Sequence, residues 1–477
     1  MARRIGLWIC LWLIVSLAPI RAGQNSGDLL NDNEIRRLAA ERIKALGGEQ
    51  NGVGIVVGTI SSEGRKIISA GERSLDDPHP LDGDTVFEIG SVTKVFTALL
   101  LAEMAEKNEV GLNDPVAKYL PAGFKVPEGN GKTISLLDLA THTSGFPFMP
   151  NESTISNESA AAKYSTADLR RFVASSELRG VGEKWEYSNI GYWLLSEALA
   201  ARAGLDYESL VRKRVITPLA LTNTAFALSR EMKANFAAGH NAVLQPSSPI
   251  STLPIYSIMP AAGGLYSTAN DLLKLLAVAM DYEHSPLDGA MRLTWNTRRL
   301  MSRDGFEQAL GWTIIHEQKS LLIVQDGGTF GYAVSIAWDP VRRVGVVVLS
   351  NQVANVGDVA RHLLRPSIPL EKPTVTKRTE VALDPATLDI YVGNYEATGE
   401  GIFAVAREAD SLTLRSPAEW GLPKFRLHPE NRQHFFAGEL PMRLAFQFEN
   451  DGSVKKMLVY PPRGQKPISA VRLDSSR

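Results

Sequence analysis

A chain of 477 residues, 44% hydrophobic and 22% charged, can bury a sizeable core and is long enough for more than one. Its 51 basic and 52 acidic residues leave a formal net charge of -1 with no long run of either sign, which excludes a nucleic-acid or anionic-membrane surface as its organising feature. Cys10 is the only cysteine and falls in the N-terminal leader, so disulfides, thiol catalysis and cysteine metal sites are excluded from the rest.

Arg3 and Arg4 precede an apolar run over residues 5–17, and Pro19-Ile20-Arg21-Ala22-Gly23 offers a small residue at a cleavage position. Residues 1–22 are therefore expected to be a secretory signal peptide, too short for a comfortable membrane span. The product is expected to be exported, periplasmic or secreted, with no stable span of its own. The arginine pair lacks the rest of a twin-arginine motif, and Cys10 follows Trp8-Ile9 rather than the small residue of a lipoprotein signal.

Residues 33–46 place Ile35, Leu38, Ala39 and Ile43 at helical spacing and stop at Gly47-Gly48, a helix end. Residues 54–60 and 66–70 read as two strands joined at Glu63-Gly64, neighbours in an antiparallel sheet. The stretch 87–102 reads as a strand end, a glycine turn and a helix opening at Ser91. From Val95 that helix is apolar on nearly every side, so it belongs inside the protein, with Ser91 as its cap. Residues 112–121 turn into a short helix, and 133–143 form another, capped by Ser135 and ended before Gly145. A polar surface loop follows over 148–163; its two N-x-S sequons, Asn151 and Asn157, count only in a glycosylating host. A helix over 167–174 precedes the loop 182–189, which feeds an apolar helix over 191–201. Residues 260–272 join a glycine turn to a helix capped by Ser267 or Thr268. Strands over 321–325, 334–338 and 344–349 return beside the first pair, the last two paired across Asp339-Pro340.

Prolines cluster and charge rises over 366–373, which marks a linker. Beyond it, short alternating strands at 388–391, 403–405, 412–414, 424–427, 435–436, 444–448 and 457–460 read as a small β-barrel or sandwich. The fold class is α+β: an antiparallel sheet flanked by helices plus an all-helical region, then a small C-terminal β domain. The expected division is a leader over 1–22, a main domain over 24–365, a linker over 366–383 and the β domain over 384–477.

Lys94 lies one helical turn from Ser91 on the same face, so its amine can reach the hydroxyl while its charge is costly to keep there. A desolvated lysine loses its proton more readily and can take one from serine, which activates a nucleophile without histidine. Lowering lysine from about 10.4 to roughly 7 or 8 requires about 3 to 5 kcal/mol of differential stabilisation. The S-x-x-K spacing recurs at Ser453-Val454-Lys455-Lys456 in an expected surface hairpin, so spacing alone leaves the reading of helix cap and ordinary lysine open. The eight histidines show no metal-ligand spacing, and His142 is read as structural. No metal or other cofactor is expected. Trp185, Trp193 and Trp312 are read as packing, with Trp185 the exception because it adjoins Tyr187. No G-x-S-x-G elbow is present.

Ser91-Val92-Thr93-Lys94, Tyr187-Ser188-Asn189 and Gln325-Asp326-Gly327-Gly328-Thr329-Phe330-Gly331-Tyr332 resemble, in order, the three motifs of the serine β-lactamase and penicillin-recognising enzyme superfamily. The branch is that of class C β-lactamases, D-alanyl-D-alanine carboxypeptidases, D-aminopeptidases and related esterases. Leu112-Asn113-Asp114-Pro115, the segment 139–147 and Ala262-Gly263-Gly264-Leu265-Tyr266-Ser267-Thr268 resemble it too, so that the likeness covers roughly residues 30–365.

The resemblance implies an acyl-enzyme on Ser91, with Lys94 receiving its proton. Tyr187 would share the base role as a phenolate, with a lowered pKa beside Lys94, or pass protons to the leaving group. Asn189 would hydrogen-bond a substrate amide or the lysine. Gly327 and Gly328 belong to the substrate-facing strand, and the oxyanion hole would come from the backbone N–H groups of Ser91 and Gly328. The third motif departs from the family: Gln325 stands where a cation usually faces a substrate carboxylate, and Asp326 would repel that carboxylate if it pointed inward. This favours esters, amides or peptides without a nearby carboxylate.

The C-terminal opening Tyr391-Val392-Gly393-Asn394-Tyr395-Glu396 resembles a lipocalin-like β domain appended to several such hydrolases, with gating, assembly and passive stabilisation all open. The expected function is an exported serine hydrolase acting on a small ester, amide or D-residue peptide. A β-lactamase or D,D-carboxypeptidase, and a catalytically silent wall- or ligand-binding protein, are the alternatives.

Overall fold

The protein is represented by a computed structural model that describes residues 31–46, 52–150, 164–178, 180–242, 244, 246–247, 249, 257–301, 305–317, 320–371, 378, 380–417, 424–437, 442–460 and 467–473. The expected signal peptide and most of the loop carrying Asn151 and Asn157 lie outside the described residues.

Its centre is an eight-stranded antiparallel sheet in the order β2-β1-β10-β9-β8-β7-β6-β5. Here β1 is Gly54–Ser61, β2 Gly64–Gly71, β5 Arg298–Leu300, β6 Phe306–Ala309, β7 Thr313–Glu317, β8 Ser320–Gly328, β9 Ala333–Asp339 and β10 Val344–Ser350. The late strand β10 lies against β1, with Val57 opposite Val348, so the return expected from the sequence closes the sheet. The short strands β3 (Phe87–Glu88) and β4 (Tyr266–Ser267) pair apart from it. Strands β5 to β7 were not expected. Polar residues such as Arg298, Arg299, Glu307 and His316 recur along them, so no apolar run marks them.

Alternation along the strands splits the sheet into two packed faces. On one, Val56, Ile323, Ile336, Val347 and Leu349 join the large core made with helix α2 (Thr93–Glu106) and helix α3 (Asn189–Ala203). On the other, Ile55, Val57, Leu322, Val324, Val346 and Val348 pack under helix α1 (Asp32–Ala45) and, at the chain's far end, helix α5 (Gly357–Leu364). Helix α4 (Ala269–Ala279) covers the first face, and Thr268 is its cap, accepting from the Asp271 N–H.

Arg42 of α1 and Asp358 of α5 form an ion pair whose side chains are only 5% and 3% exposed. The pair ties the first described helix to the last helix of this body. The Asp358 carboxylate also accepts from the backbone N–H of Glu371 at 2.9 Å.

Helix α2 has no wet face: every residue from Thr93 to Met104 is buried. Its start differs from expectation. Ser91 lies within a 3₁₀ turn, Gly90–Val92, and α2 begins at Thr93 with no side-chain cap at all. The serine hydroxyl is thereby left for other partners. Ser135, by contrast, caps the Leu136–Ala140 helix in a reciprocal box with Asp138.

Beyond the sheet body, eight strands close into a barrel, β11 (Gly393–Ala397) to β18 (Ile468–Arg472), with β11 hydrogen-bonded to both β12 (Gly401–Glu408) and β18. That contact makes it a barrel rather than a sandwich. Tyr391, Tyr395, Phe403, Phe435 and Phe446 fill its interior. The expected strand at 388–391 is instead a 3₁₀ helix, Pro385–Tyr391, opened by Asp384 as cap and Pro385 at its first turn. Ser453 of the second S-x-x-K spacing donates to Asp451 in an exposed turn. Among the described residues no helix is long and apolar enough to cross a membrane.

Candidate active site

The site forms where the Gly90–Val92 turn meets the end of β8. Gly90 has φ +48, and a Cβ there would stand 2.6 Å from the Gly328 carbonyl oxygen and 2.7 Å from its nitrogen. A Cβ on Gly327 would stand 2.1 Å from the Ile89 carbonyl oxygen. Glycine at positions 90 and 327 lets two backbones touch, which sets Ser91 beside Gly328.

Ser91 is half-buried at the start of the apolar helix, and Lys94 beside it is 1% exposed. The Lys94 Nζ lies 3.1 Å from the Ser91 Oγ, 2.9 Å from the Asn189 Oδ1 and 2.6 Å from the Ala262 carbonyl oxygen. None of these is a carboxylate. Burial pushes the amine well below the usual lysine range. From the loop before α3, Tyr187 donates its hydroxyl to the Ser91 Oγ at 2.7 Å. One hydroxyl, one amine and one phenol from segments 96 residues apart along the chain therefore share a point.

The loop carrying Tyr187 is held from behind. His142, buried and in the left-handed region at φ +57, stacks on the Tyr187 ring at 4.2 Å. Its Nδ1 accepts from the Ser188 N–H at 3.1 Å, and its carbonyl accepts from the Glu186 N–H at 2.7 Å. Burial, and then the charge of Lys94, push the imidazole well below its ordinary value, so it stacks as a neutral ring. The structural reading of His142 fits a residue that orients Tyr187. Trp185 meets the same tyrosine edge-on at 6.4 Å and donates its indole N–H to the Gln308 Oε1 at 3.1 Å. Phe148 also stacks with the Tyr187 ring, at 5.9 Å. No spacing in the chain links Phe148 to Tyr187.

In the third motif the two residues that the sequence left open in direction point to opposite faces of the sheet. Gln325 shares the strand face of Ile323, and its amide donates to the carbonyls of Ser91 at 3.2 Å and Asp326 at 3.1 Å. Asp326 lies on the opposite face, held by Arg361 of α5 at 3.0 Å and by the Ser335 hydroxyl at 2.7 Å. Its carboxylate is therefore neutralised beneath the sheet and does not point at the serine. Asn189 places its Oδ1 on Lys94, as one of the two expected options, and its amide N–H on the Met149 sulfur at 3.5 Å. Two contacts escaped the sequence: the Ala262 carbonyl, because a backbone acceptor has no residue signature, and Met149, whose neighbours in the chain are uninformative. Among the described residues no group of three or more His, Cys, Asp or Glu side chains is gathered to hold a metal ion.

A family model described as Beta-lactamase matches residues 39–366 of the chain. The chain is 26% identical over 281 residues to the D-alanyl-D-alanine-carboxypeptidase/endopeptidase AmpH of Escherichia coli (strain K12), a match covering 56% of this chain and 71% of that protein. It is 24% identical over 431 residues to Penicillin-binding protein 4* of Bacillus subtilis (strain 168), covering 84% of this chain and 92% of that protein. Among solved structures it resembles a class C beta lactamase from Rhodobacter sphaeroides, with a TM-score of 0.59 and 23% identity over 70% of this chain and 98% of that one. At that identity the likeness is one of fold.

Proposed function

Since the chain belongs to the beta-lactamase family, we propose that it is a serine hydrolase that acylates Ser91 and releases the acyl group to water. The observation that carries this reading is the hydrogen bonding around Lys94. The Asn189 Oδ1 and the Ala262 carbonyl can only accept, so they take two N–H bonds of the amine. In the neutral amine the lone pair then faces the Ser91 Oγ and can receive its proton as the hydroxyl attacks a carbonyl carbon. Tyr187, on the other side of the same oxygen, passes a proton to the departing group, and the pair acts again when water attacks the acyl-enzyme. The backbone N–H groups of Ser91 and Gly328 stabilise the oxyanion, which requires the close approach that Gly90 and Gly327 permit.

The substrate is a small ester, amide or D-residue peptide. The expected signal peptide gives an exported enzyme, with a hydrolase domain over 24–365, a linker over 366–383 and a β domain over 384–477. Hydrolysis of β-lactams or of D-alanyl-D-alanine ends is the second reading, favoured by the likeness to a D-alanyl-D-alanine-carboxypeptidase/endopeptidase and a penicillin-binding protein. It requires a partner for a carboxylate where this chain has Gln325.

The test is stopped-flow hydrolysis of a nitrophenyl ester. A burst of nitrophenol approaching one equivalent per enzyme is expected, because an acyl-enzyme builds up before water releases it. Linear release at every enzyme concentration, together with no acyl adduct by mass spectrometry, would contradict the reading.

Gly90 supplies a further check. Alanine there is strained by the positive φ and meets the backbone of Gly328, so the strand must retreat from the turn. Gly90→Ala is expected to lower kcat/KM about a hundredfold through misplacement of the reacting groups. Circular dichroism should report an unchanged fold; an activity within twofold of wild type would remove the close approach from the mechanism.

A further inference from the structure

We infer that the Ser91 site selects uncharged substrates with an apolar acyl group, and that Gln325 sets the preference by turning its amide into the protein. The inference rests on the serine-hydrolase reading above and narrows its substrate.

Gln325 has two N–H bonds, and both are used on main-chain carbonyls, at Ser91 and at Asp326. Since both partners are acceptors, the amide must present nitrogen to them, which fixes its orientation and leaves the Oε1 as its unengaged end in these two contacts. An acceptor oxygen repels a carboxylate. Asn189 places its oxygen on Lys94 and one of its two N–H bonds on the Met149 sulfur. Two described cations, Arg361 behind the motif and Arg299 beside the loop that carries Tyr187, are engaged as well. Arg361 holds Asp326 on the far face of the sheet, and Arg299 donates to the Gly182 carbonyl at 3.0 Å and pairs with Asp138 at 3.0 Å. Among the described residues, a substrate carboxylate entering here would find no charged donor in return for the water it loses.

What the cleft offers instead is aromatic. Phe148 and Trp185 flank Tyr187, whose hydroxyl touches the nucleophile, and all three are half-buried. The polar end of Trp185 is tied to Gln308, so its ring presents apolar surface. Such a wall takes an alkyl or aryl acyl chain.

The experiment compares kcat/KM for phenyl butyrate and 3-carboxyphenyl butyrate, which differ by one carboxylate. Wild type is expected to prefer the neutral ester at least tenfold, and Gln325→Lys to shrink or reverse that ratio. The ratio is independent of the fraction of enzyme that is folded, since both esters meet the same molecules. Phe148→Ala is expected to lower the ratio of butyrate to acetate hydrolysis severalfold. A wild type that hydrolyses the charged ester equally well, hydrolyses neither, or keeps its ratio in Gln325→Lys overturns the inference. Fluorophosphonate labelling separates the two layers: a Ser91 adduct with the wrong ester preference removes the specificity and keeps the hydrolase, and no Ser91 adduct removes the hydrolase itself.

Discussion

Lys94→Met is expected to lower kcat/KM for ester hydrolysis about a thousandfold or more while leaving the sheet and barrel folded. General base catalysis is commonly worth about a hundredfold to ten-thousandfold, and this lysine is the one amine at hydrogen-bond distance, 3.1 Å, from the Ser91 Oγ among the described contacts. Methionine keeps the length and the apolar packing of the stem and removes the proton acceptor. If Lys94 served only to fill the core, the variant would keep its activity. The pH dependence separates the readings further. Burial lowers the lysine pKa, so the active neutral form is lost as pH falls through the folded-state value, and acylation by wild type rises with pH in that range.

Stability must follow the same titration. The unfolded lysine binds a proton below about pH 10.4 and the folded one resists it. The unfolded state therefore binds more protons between the lowered folded value and the unfolded one, and wild-type stability rises with pH across that window. Lys94→Met removes this contribution. Urea unfolding at several pH values should show the wild-type-minus-variant difference in unfolding free energy increasing from neutral pH towards pH 10. A difference that stays flat would mean that the lysine keeps its charge in the fold.

Arg42→Met carries the largest expected loss of stability, about 3 to 5 kcal/mol. It strands the Asp358 carboxylate, 3% exposed on its side chain, between α1 and α5. The Oδ1 of that carboxylate already has no hydrogen-bond partner among the described residues, so little remains to compensate. Replacing both partners, Arg42→Met with Asp358→Leu, should restore most of the loss, because an apolar pair of similar volume needs no counter-charge. The check is a double-mutant cycle by denaturant unfolding. Equal destabilisation by the single and double variants would place the cost in packing rather than in the stranded charge. Activity per folded molecule should change little, since the pair sits on the face of the sheet away from Ser91.

The sequence was most informative where chemistry is local. The three-residue offset from Ser91 to Lys94 holds within a turn and the helix that follows it, and the apolar surround of Lys94 is legible in the run from Val95 to Ala102. The order of strands at β1, β2, β9 and β10 was legible because each is an apolar run bounded by turn residues. Meeting points between distant segments were not legible by spacing, and Tyr187 was picked out only by its resemblance to a known motif. Residues that act through their backbone, such as Ala262, carry no signature.

Other expectations failed for identifiable reasons. Ser91 looked like a cap because a serine before an apolar run usually is one, yet the 3₁₀ turn takes that role from its side chain. Residues 388–391 alternate like a strand, but Asp384 and Pro385 upstream start a helix that overrides the pattern. The barrel's first and last strands, β11 and β18, were missed because their half-exposed alternation is short, and closure depends on their pairing. The direction in which Asp326 points could not be read either, since it is set by the pairing partner Ser335 and by Arg361, 35 residues away.

The central claim is that Ser91 becomes a covalent acyl carrier. Incubation with a fluorophosphonate followed by peptide mapping tests it directly: one adduct is predicted, on the peptide containing Ser91, lost in Ser91→Ala and slowed in Lys94→Met. An adduct that persists in Ser91→Ala, or a wild type that takes none, would contradict the account.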